Sequence, residues 1–271
     1  MNLQTNLLFI LLLLLSVVAQ CIFGNFPFAF FAFPLDVLLA LIWMGGMGYV
    51  YKEKRSSRFV RLWLSPQCTY WTLGWLLAGC LVIGLFPQLS AQEIAGKSGI
   101  FVRLGCYHFT SSWIFVVGLF GLLTHLGMIT LRRAFLPGRN RWRFVLNHAG
   151  LWLALFAGFI GSAEEQTLRM PVFRTSPSNE AFTEQGTRVY LPKSLQLITF
   201  TVEHYSNGSP RHFFADISID GKPAHLEVNH PYAASWAEDY YLTSYDVQSS
   251  QPQYCVVQIV REPLKFLMWL G

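Results

Sequence analysis

Seven histidines and five cysteines are the side chains of this 271-residue chain best suited to hold a metal or carry redox chemistry. Their spacing narrows the choice. No two of Cys21, Cys68, Cys80, Cys106 and Cys255 form a CxxC, so a thioredoxin-like redox pair is absent. CxxCH is missing too, which excludes covalently attached c-type haem. Zinc-ligand spacing, glycine-rich phosphate loops and a GxSxG elbow do not occur, and no catalytic residue stands out. His148 is the most suggestive residue. It opens an apolar block in the run Asn147-His148-Ala149-Gly150-Leu151-Trp152. Imidazole is a common axial ligand of haem iron, and an ionisable group inside a bilayer is a functional candidate. Gly150 would leave room for a flat ring beside the helix. In the plainer reading Asn147 caps the helix and His148 sits at the headgroups. His125, in Leu123-Thr124-His125-Leu126-Gly127, lies toward the end of the preceding block. Antiparallel neighbours would bring it near His148 and make a bis-histidine iron site. Its plainer reading is a histidine paired with a threonine or a backbone carbonyl. His108 reads as a loop residue, and His204, His212, His225 and His230 as surface or turn residues of a β-patterned region.

The elements that must position these residues follow from where charge is missing. Hydrophobic residues make up 53% of the chain and charged ones only 13%, about half the charged share of a soluble domain. Leu7–Phe23, Leu35–Val50, Tyr70–Phe86, Trp113–Leu131 and Phe144–Ile160 contain no Lys, Arg or Glu, and their one carboxylate is Asp36. Each block has roughly the ~17–25 residues that span a bilayer as a helix, the form that pairs its own backbone polar groups where water is absent. Asp36 follows Pro34 and reads as a helix-start signature. Trp and Tyr at the block ends fit the interfacial aromatic belt.

Basic residues set the orientation. Lys52, Lys54, Arg55, Arg58 and Arg61 lie between the second and third blocks, and Arg132, Arg133, Arg139, Arg141 and Arg143 between the fourth and fifth. Short loops rich in Lys and Arg stay cytoplasmic. The N-terminus is therefore expected inside, and residues 162–262 outside. The first block reads as an uncleaved anchor, because no Lys or Arg precedes it and Gln20 is too large for a lipoprotein cleavage site. Leu264–Gly271 starts a new apolar run that spans only ~12 Å as a helix. The pI near 9.0 comes from the topology-setting loops, so nucleic acid is not an expected partner.

Residues 162–262 have another character: they hold 12 of the 15 carboxylates, and their apolar residues alternate. Thr199–Glu203 and Phe213–Ile219 read as strands. Asp220-Gly221 is a hairpin signal, returned by Ala224–Val228, and Tyr240–Val247 and Gln253–Val260 follow. Asn207-Gly208 marks another turn. Cys106 and Cys255 both fall on the outer side, where an oxidising compartment permits a disulfide; two free thiols are the simpler expectation. The fold class is thus an α-helical transmembrane bundle of about five helices plus a partial sixth, with an extracytoplasmic β-rich domain. The expected divisions are 1–66 (two N-terminal helices and a basic loop), 67–162 (a three-helix core), 163–262 (the β-rich domain) and 263–271 (the start of a final helix).

Three stretches resemble the ResB family of System II cytochrome c biogenesis proteins, in its Bacteroidetes-type form: Leu146–Glu164, Leu191–Tyr205, and Val228–Asp246 followed by Tyr254–Pro263. The resemblance covers roughly Arg61–Gly271, with the first two helices extra. It implies a non-catalytic subunit of a cytochrome c synthase (haem lyase) complex in the bacterial inner membrane. Such a subunit works with a CcsA-type partner to pass haem b outward and attach it to apocytochrome c. The resemblance makes His148 a candidate ligand of membrane-embedded haem. Two departures stand against a full synthase: the Trp-rich motif of the CcsA part is missing, and the final helix is incomplete, which a truncated ResB–CcsA fusion would explain. Two other readings compete. One is a membrane-anchored scaffold or sensor whose β domain binds protein without haem. The other is a small-molecule transporter, disfavoured by the scarcity of charge within the blocks.

Overall fold

The structure, a computed structural model, describes residues 3–138, 140–247, 249 and 251–271. The chain forms two compact units, one of residues 1–163 with Leu267–Gly271 and one of Glu164–Phe266.

The first unit is helical: α1 (Leu3–Phe23), α2 (Leu35–Glu53), α3 (Arg58–Trp63), α4 (Pro66–Leu85), α5 (Ala91–Ile94), α6 (Ile100–Arg103), α7 (Trp113–Phe135) and α8 (Arg141–Gly161). Among the described residues five helices, α1, α2, α4, α7 and α8, are long and apolar enough to cross a membrane, one for each apolar block. Their starts are set by local chemistry. Ser57, Ser65 and Ser112 each accept a hydrogen bond from the backbone N–H three residues on, capping α3, α4 and α7. Pro66 at the first position carries α4 four residues further back than the apolar block reaches. Likewise α8 begins at Arg141, ahead of its block. Asn140, in a left-handed conformation, precedes it and makes no side-chain cap bond. Asn147 therefore lies within α8 and caps nothing, and His148 sits two turns inside the helix instead of at its start.

The bundle is built around α7, which packs against α1, α2, α3, α4 and α8. Gly118 is one reason the helices approach closely. A Cβ there would collide with the indole of Trp75 on α4, whose Nε1–H donates to the Ile114 carbonyl at 3.0 Å. The end of α1 is tied to the start of α7 by Gln20, which accepts from the Trp113 backbone N–H at 3.0 Å and donates to Asn25. Outside these contacts the helices present apolar residues such as Leu7, Leu11, Leu14, Leu38, Ile42, Leu77 and Leu81 to their surroundings. A soluble fold does not leave such surface bare; the bilayer covers it, and the protein is a membrane protein.

The second unit is an antiparallel sheet of eight strands: β1 (Gln166–Phe173), β2 (Ser178–Thr183), β3 (Arg188–His204), β4 (Pro210–Ile219), β5 (Lys222–Glu227), β6 (Tyr232–Ser235), β7 (Glu238–Tyr245) and β8 (Tyr254–Arg261). The strand order is β5-β4-β3-β2-β1-β8-β7-β6, so first and last strands pair in the middle. The β4–β5 hairpin turns at Asp220 and Gly221, both with positive φ, as the sequence pattern predicts. Register shifts within the β2–β3, β3–β4, β6–β7 and β7–β8 pairs increase the local twist. The sheet curls until β5, at one edge, packs against β6 and β7 at the other. Inside the curl, alternate residues form one core, with Leu168 and Met170 on β1, Leu195 and Leu197 on β3, Ile217 on β4, Leu226 on β5, Tyr240 on β7, and Val257 and Ile259 on β8. Fully burying each such side chain stabilises by roughly 1.5–3 kcal/mol. A closing helix, α9 (Lys265–Leu270), follows β8, and the Lys265 ammonium pairs with the buried Asp239 carboxylate.

Candidate functional site

His148 stands on the face of α8 that also carries Arg141, Phe144 and Trp152, the residues seven and four before it and four after it. That spacing places them in one stripe. The imidazole lies flat on the Phe144 ring, with centroids 3.7 Å apart and planes 15° from parallel. Its Nδ1 is 2.9 Å from the Phe144 carbonyl oxygen. A carbonyl only accepts, so Nδ1 carries the proton and donates, and the lone pair is left on Nε2. Nε2 makes no hydrogen bond among the described residues, and the side chain is half-buried. A histidine held by one nitrogen with the other open is the arrangement metal-binding histidines use.

The helix start below His148 is basic. Arg141 lies over the Trp142 ring at 4.7 Å, and Arg143 follows in the same turn. Cations at a helix N-terminus oppose the macrodipole by ~0.3–1 kcal/mol each, so these arginines do not serve the helix itself. They suit topology, and they suit an anionic group brought to this end of α8. Arg132 and Arg133, in the last turn of α7, are by contrast favourably placed for their own helix. Arg139 lies outside the described residues.

Gly150 does not leave the room expected of it. A Cβ there would collide with the carbonyl oxygen of Gly271, so the backbone at Gly271 occupies the space beside α8. The small residue admits a backbone, not a planar ring.

His125 has the opposite environment. It is 3% exposed. Its Nδ1 donates to the Trp63 carbonyl at 2.7 Å, and its Nε2 lies 2.9 Å from the Thr69 hydroxyl. With Nδ1 the donor, Nε2 must accept from Thr69. The ring has no lone pair to give. It also faces away from His148. On α7, Leu123 accepts a hydrogen bond from Trp152 of α8, and Gly127 lies against the same indole. His125 is two residues from each, roughly 200° round the helix at 3.6 residues per turn. The structure therefore does not bring the two histidines together, and the pairing of His125 with a threonine and a carbonyl is what it shows.

The remaining candidates are local. His108 approaches the Ser111 hydroxyl at 3.3 Å. In the sheet, His212 pairs with Glu227 and His225 with Asp216, each at 2.7 Å. These two histidine–carboxylate couples join one face of β4 to β5, a cross-strand relation that spacing along the sequence did not display. All five cysteines are free; Cys106 and Cys255 are each buried within their own unit. Burial pushes the Cys255 thiol up to about 12 and raises that of Cys106 as well, so neither is a ready thiolate. Among the described residues no three His, Cys, Asp or Glu side chains cluster to hold a metal ion.

Compared with known proteins, the chain matches the family model of the ResB-like family over residues 138–265. That stretch takes in all of α8, all eight strands and the first residue of α9. No curated protein matches the chain.

Proposed function

Because residues 138–265 belong to the ResB-like family, whose general role is in cytochrome c biogenesis, we propose that this chain is the haem-handling subunit of a cytochrome c assembly pair. In this reading haem b is cargo. It passes through the bacterial inner membrane with a CcsA-type partner, which supplies the attachment chemistry to apocytochrome c. The N-terminus and the arginines flanking α7 and α8 face the cytoplasm, following the positive-inside rule, and the sheet unit faces the periplasm. There it docks the apocytochrome or braces the partner.

One observation carries the proposal: the half-tied imidazole of His148, with Nδ1–H held by the Phe144 carbonyl and the Nε2 lone pair open on the face of α8. His148 would hold haem iron through its open Nε2. The ring is oriented by a hydrogen bond and a stacked phenyl group, and Arg141, two turns back on the same face, stands where a haem carboxylate could be neutralised. Iron bound there would draw on a neutral imidazole. What this chain supplies is the tautomer, the ring's orientation and the positive charge. His148 is the one histidine of this chain that would hold the iron, since His125 is closed and turned away.

The test is an absorption spectrum of the detergent-purified protein co-expressed with a CcsA-type partner, for wild type and His148→Ala. A dithionite-reduced b-type spectrum in wild type that falls at least severalfold in the variant supports the reading. An unchanged spectrum removes His148 from it, and no haem in either protein returns the chain to the membrane-anchored scaffold class.

A further inference from the structure

We propose that Trp236, at the tip of the β6–β7 hairpin, is a membrane anchor whose indole lies in the interfacial layer of the bilayer, between headgroups and acyl chains. The side chain is 79% exposed. Its N–H is accessible and makes no hydrogen bond among the described residues. Turns that face water favour Gly, Pro, Asn, Asp and Ser, so an exposed indole at a hairpin tip asks for another surrounding. An apolar ring with one N–H donor suits the layer where hydrocarbon gives way to ester and water.

Two contacts fix where the tip stands. Trp236 meets the Phe266 ring edge-on, with centroids 5.6 Å apart. The Glu262 N–H donates to the Ala237 carbonyl at 2.8 Å, which ties the tip to the strand end that leads into α9. From Leu267 the chain belongs to the helical unit. There Met268 packs on α8, its Sδ 3.4 Å from where a Cβ at Gly158 would stand. Gly158 is three residues before α8 ends at Gly161, so Met268 lies about 4–5 Å inside that end of the spanning helix. Phe266, two residues earlier, is ~3 Å nearer the edge of the hydrocarbon. The headgroups add roughly 5–7 Å on each side. An indole 5.6 Å from Phe266 therefore stays within that band even when the whole separation runs along the membrane normal.

The nearest charges do not hold the tip off. Glu238 pairs with Arg261 at 3.6 Å, and Asp239 pairs with Lys265, so both carboxylates that follow the turn are met within the fold. A protein partner is the competing occupant of an exposed indole. The contact with Phe266, one residue before the chain joins the spanning helices, favours lipid.

The full chain is labelled with fluorotryptophan, reconstituted in nanodiscs of phosphatidylethanolamine and phosphatidylglycerol, and followed by fluorine NMR. Trp236→Phe identifies its resonance among those of the nine tryptophans, and Trp236→Tyr serves if the first variant lowers the Tm. Three paramagnetic probes are compared: a lipid with a nitroxide near its headgroup, a lipid with a nitroxide at the acyl-chain end, and a water-soluble gadolinium chelate. The headgroup-proximal nitroxide is expected to broaden the Trp236 resonance at least threefold more than either of the others. Strongest broadening by the chelate would place the ring in water, and strongest broadening by the chain-end nitroxide would place it in the hydrocarbon. Broadening by none would mean that protein covers it. Each of these, or equal broadening by all three, overturns the proposal. The outcome does not depend on His148 or on haem.

Discussion

His125 on α7 and His148 on α8 share a residue type and a membrane, and little else. The first is enclosed by three helices, with both ring nitrogens engaged by Trp63 and Thr69. The second is held by one nitrogen on its own helix and leaves the other open. The difference shows that depth in an apolar block does not make a histidine a ligand. What decides is whether the neighbouring backbone and hydroxyl groups consume both nitrogens. His125 is a structural cross-link among α3, α4 and α7; His148 is a side chain oriented and then left free.

The strongest way to break this contrast is His125→Ala. It removes two interhelical hydrogen bonds, each worth about 0.6–1.7 kcal/mol in a membrane setting, and opens a cavity beside α3. The expected loss is about 2–4 kcal/mol, read as a lowered Tm of the detergent-solubilised protein. The haem spectrum per folded molecule should stay unchanged. A bleached spectrum at full stability would exchange the roles assigned to the two histidines.

Thr69→Val separates the two nitrogens of His125. The Trp63 bond stays, and Nε2 becomes an unpaired acceptor in a dry interior. The expected cost is about 1–2 kcal/mol, again as a fall in Tm. No loss at all would mean that the Thr69 contact contributes nothing to the cross-link.

How far this contrast was legible in the sequence depends on the range of the interactions. The five spanning helices were, because charge-free blocks of bilayer length admit few other structures. Their boundaries were less so: α8 starts among arginines that no apolar count includes, which moved His148 from the helix start to its third turn. The β4–β5 hairpin could be read from Asp220-Gly221. Strands β1 and β2 could not. β1 contains Pro171, a residue that argues against a central strand. It is tolerated where β1 pairs with β2 only at Leu168 and Arg169, short of the proline. β2 is polar over Ser178-Asn179-Glu180. The fate of the histidines was partly hidden. The carbonyl that orients His148 lies four residues away on one helix, within reach of spacing arguments. The groups that close His125 lie 62 and 56 residues away, and only the packing of α3 and α4 onto α7 brings them in.

Phe144→Ala sharpens the other half of the comparison. The Phe144 carbonyl belongs to the backbone and survives the substitution, so Nδ1 stays protonated and Nε2 stays free. The stacked ring, worth about 0.5–1.5 kcal/mol for an aromatic pair, is lost. On the proposed reading haem retention falls severalfold in an absorbance titration and is not abolished, while stability, read from the Tm, changes by about 1 kcal/mol or less. Complete loss of haem would make Phe144 a direct contact instead of a support for the imidazole.

The smallest effect belongs to a third histidine that repeats the half-tied pattern in water. His225 donates through Nδ1 to Asp216 on the sheet and has Nε2 free among the described residues. If a free Nε2 sufficed for haem, His225→Ala would reduce the spectrum as His148→Ala does; no change is expected, because this ring lies on the polar sheet face. Its partner gives the pH test. Hydrogen bonds from His225 and then Thr199 hold the Asp216 carboxyl below the usual carboxylate range. A lowered folded value means stability that is present above the unfolded pKa of about 3.9 and is lost as pH falls through the folded one. Asp216→Asn should therefore lower the Tm of the sheet unit at neutral pH by an amount equivalent to no more than about 0.5 kcal/mol, since the pair is solvent-screened. The gap should close as the pH drops below about 4. A gap that persists at lower pH would show that Asp216 acts through neutral hydrogen bonding, and that the His225 couple is a strand-to-strand link of the kind His125 makes between helices.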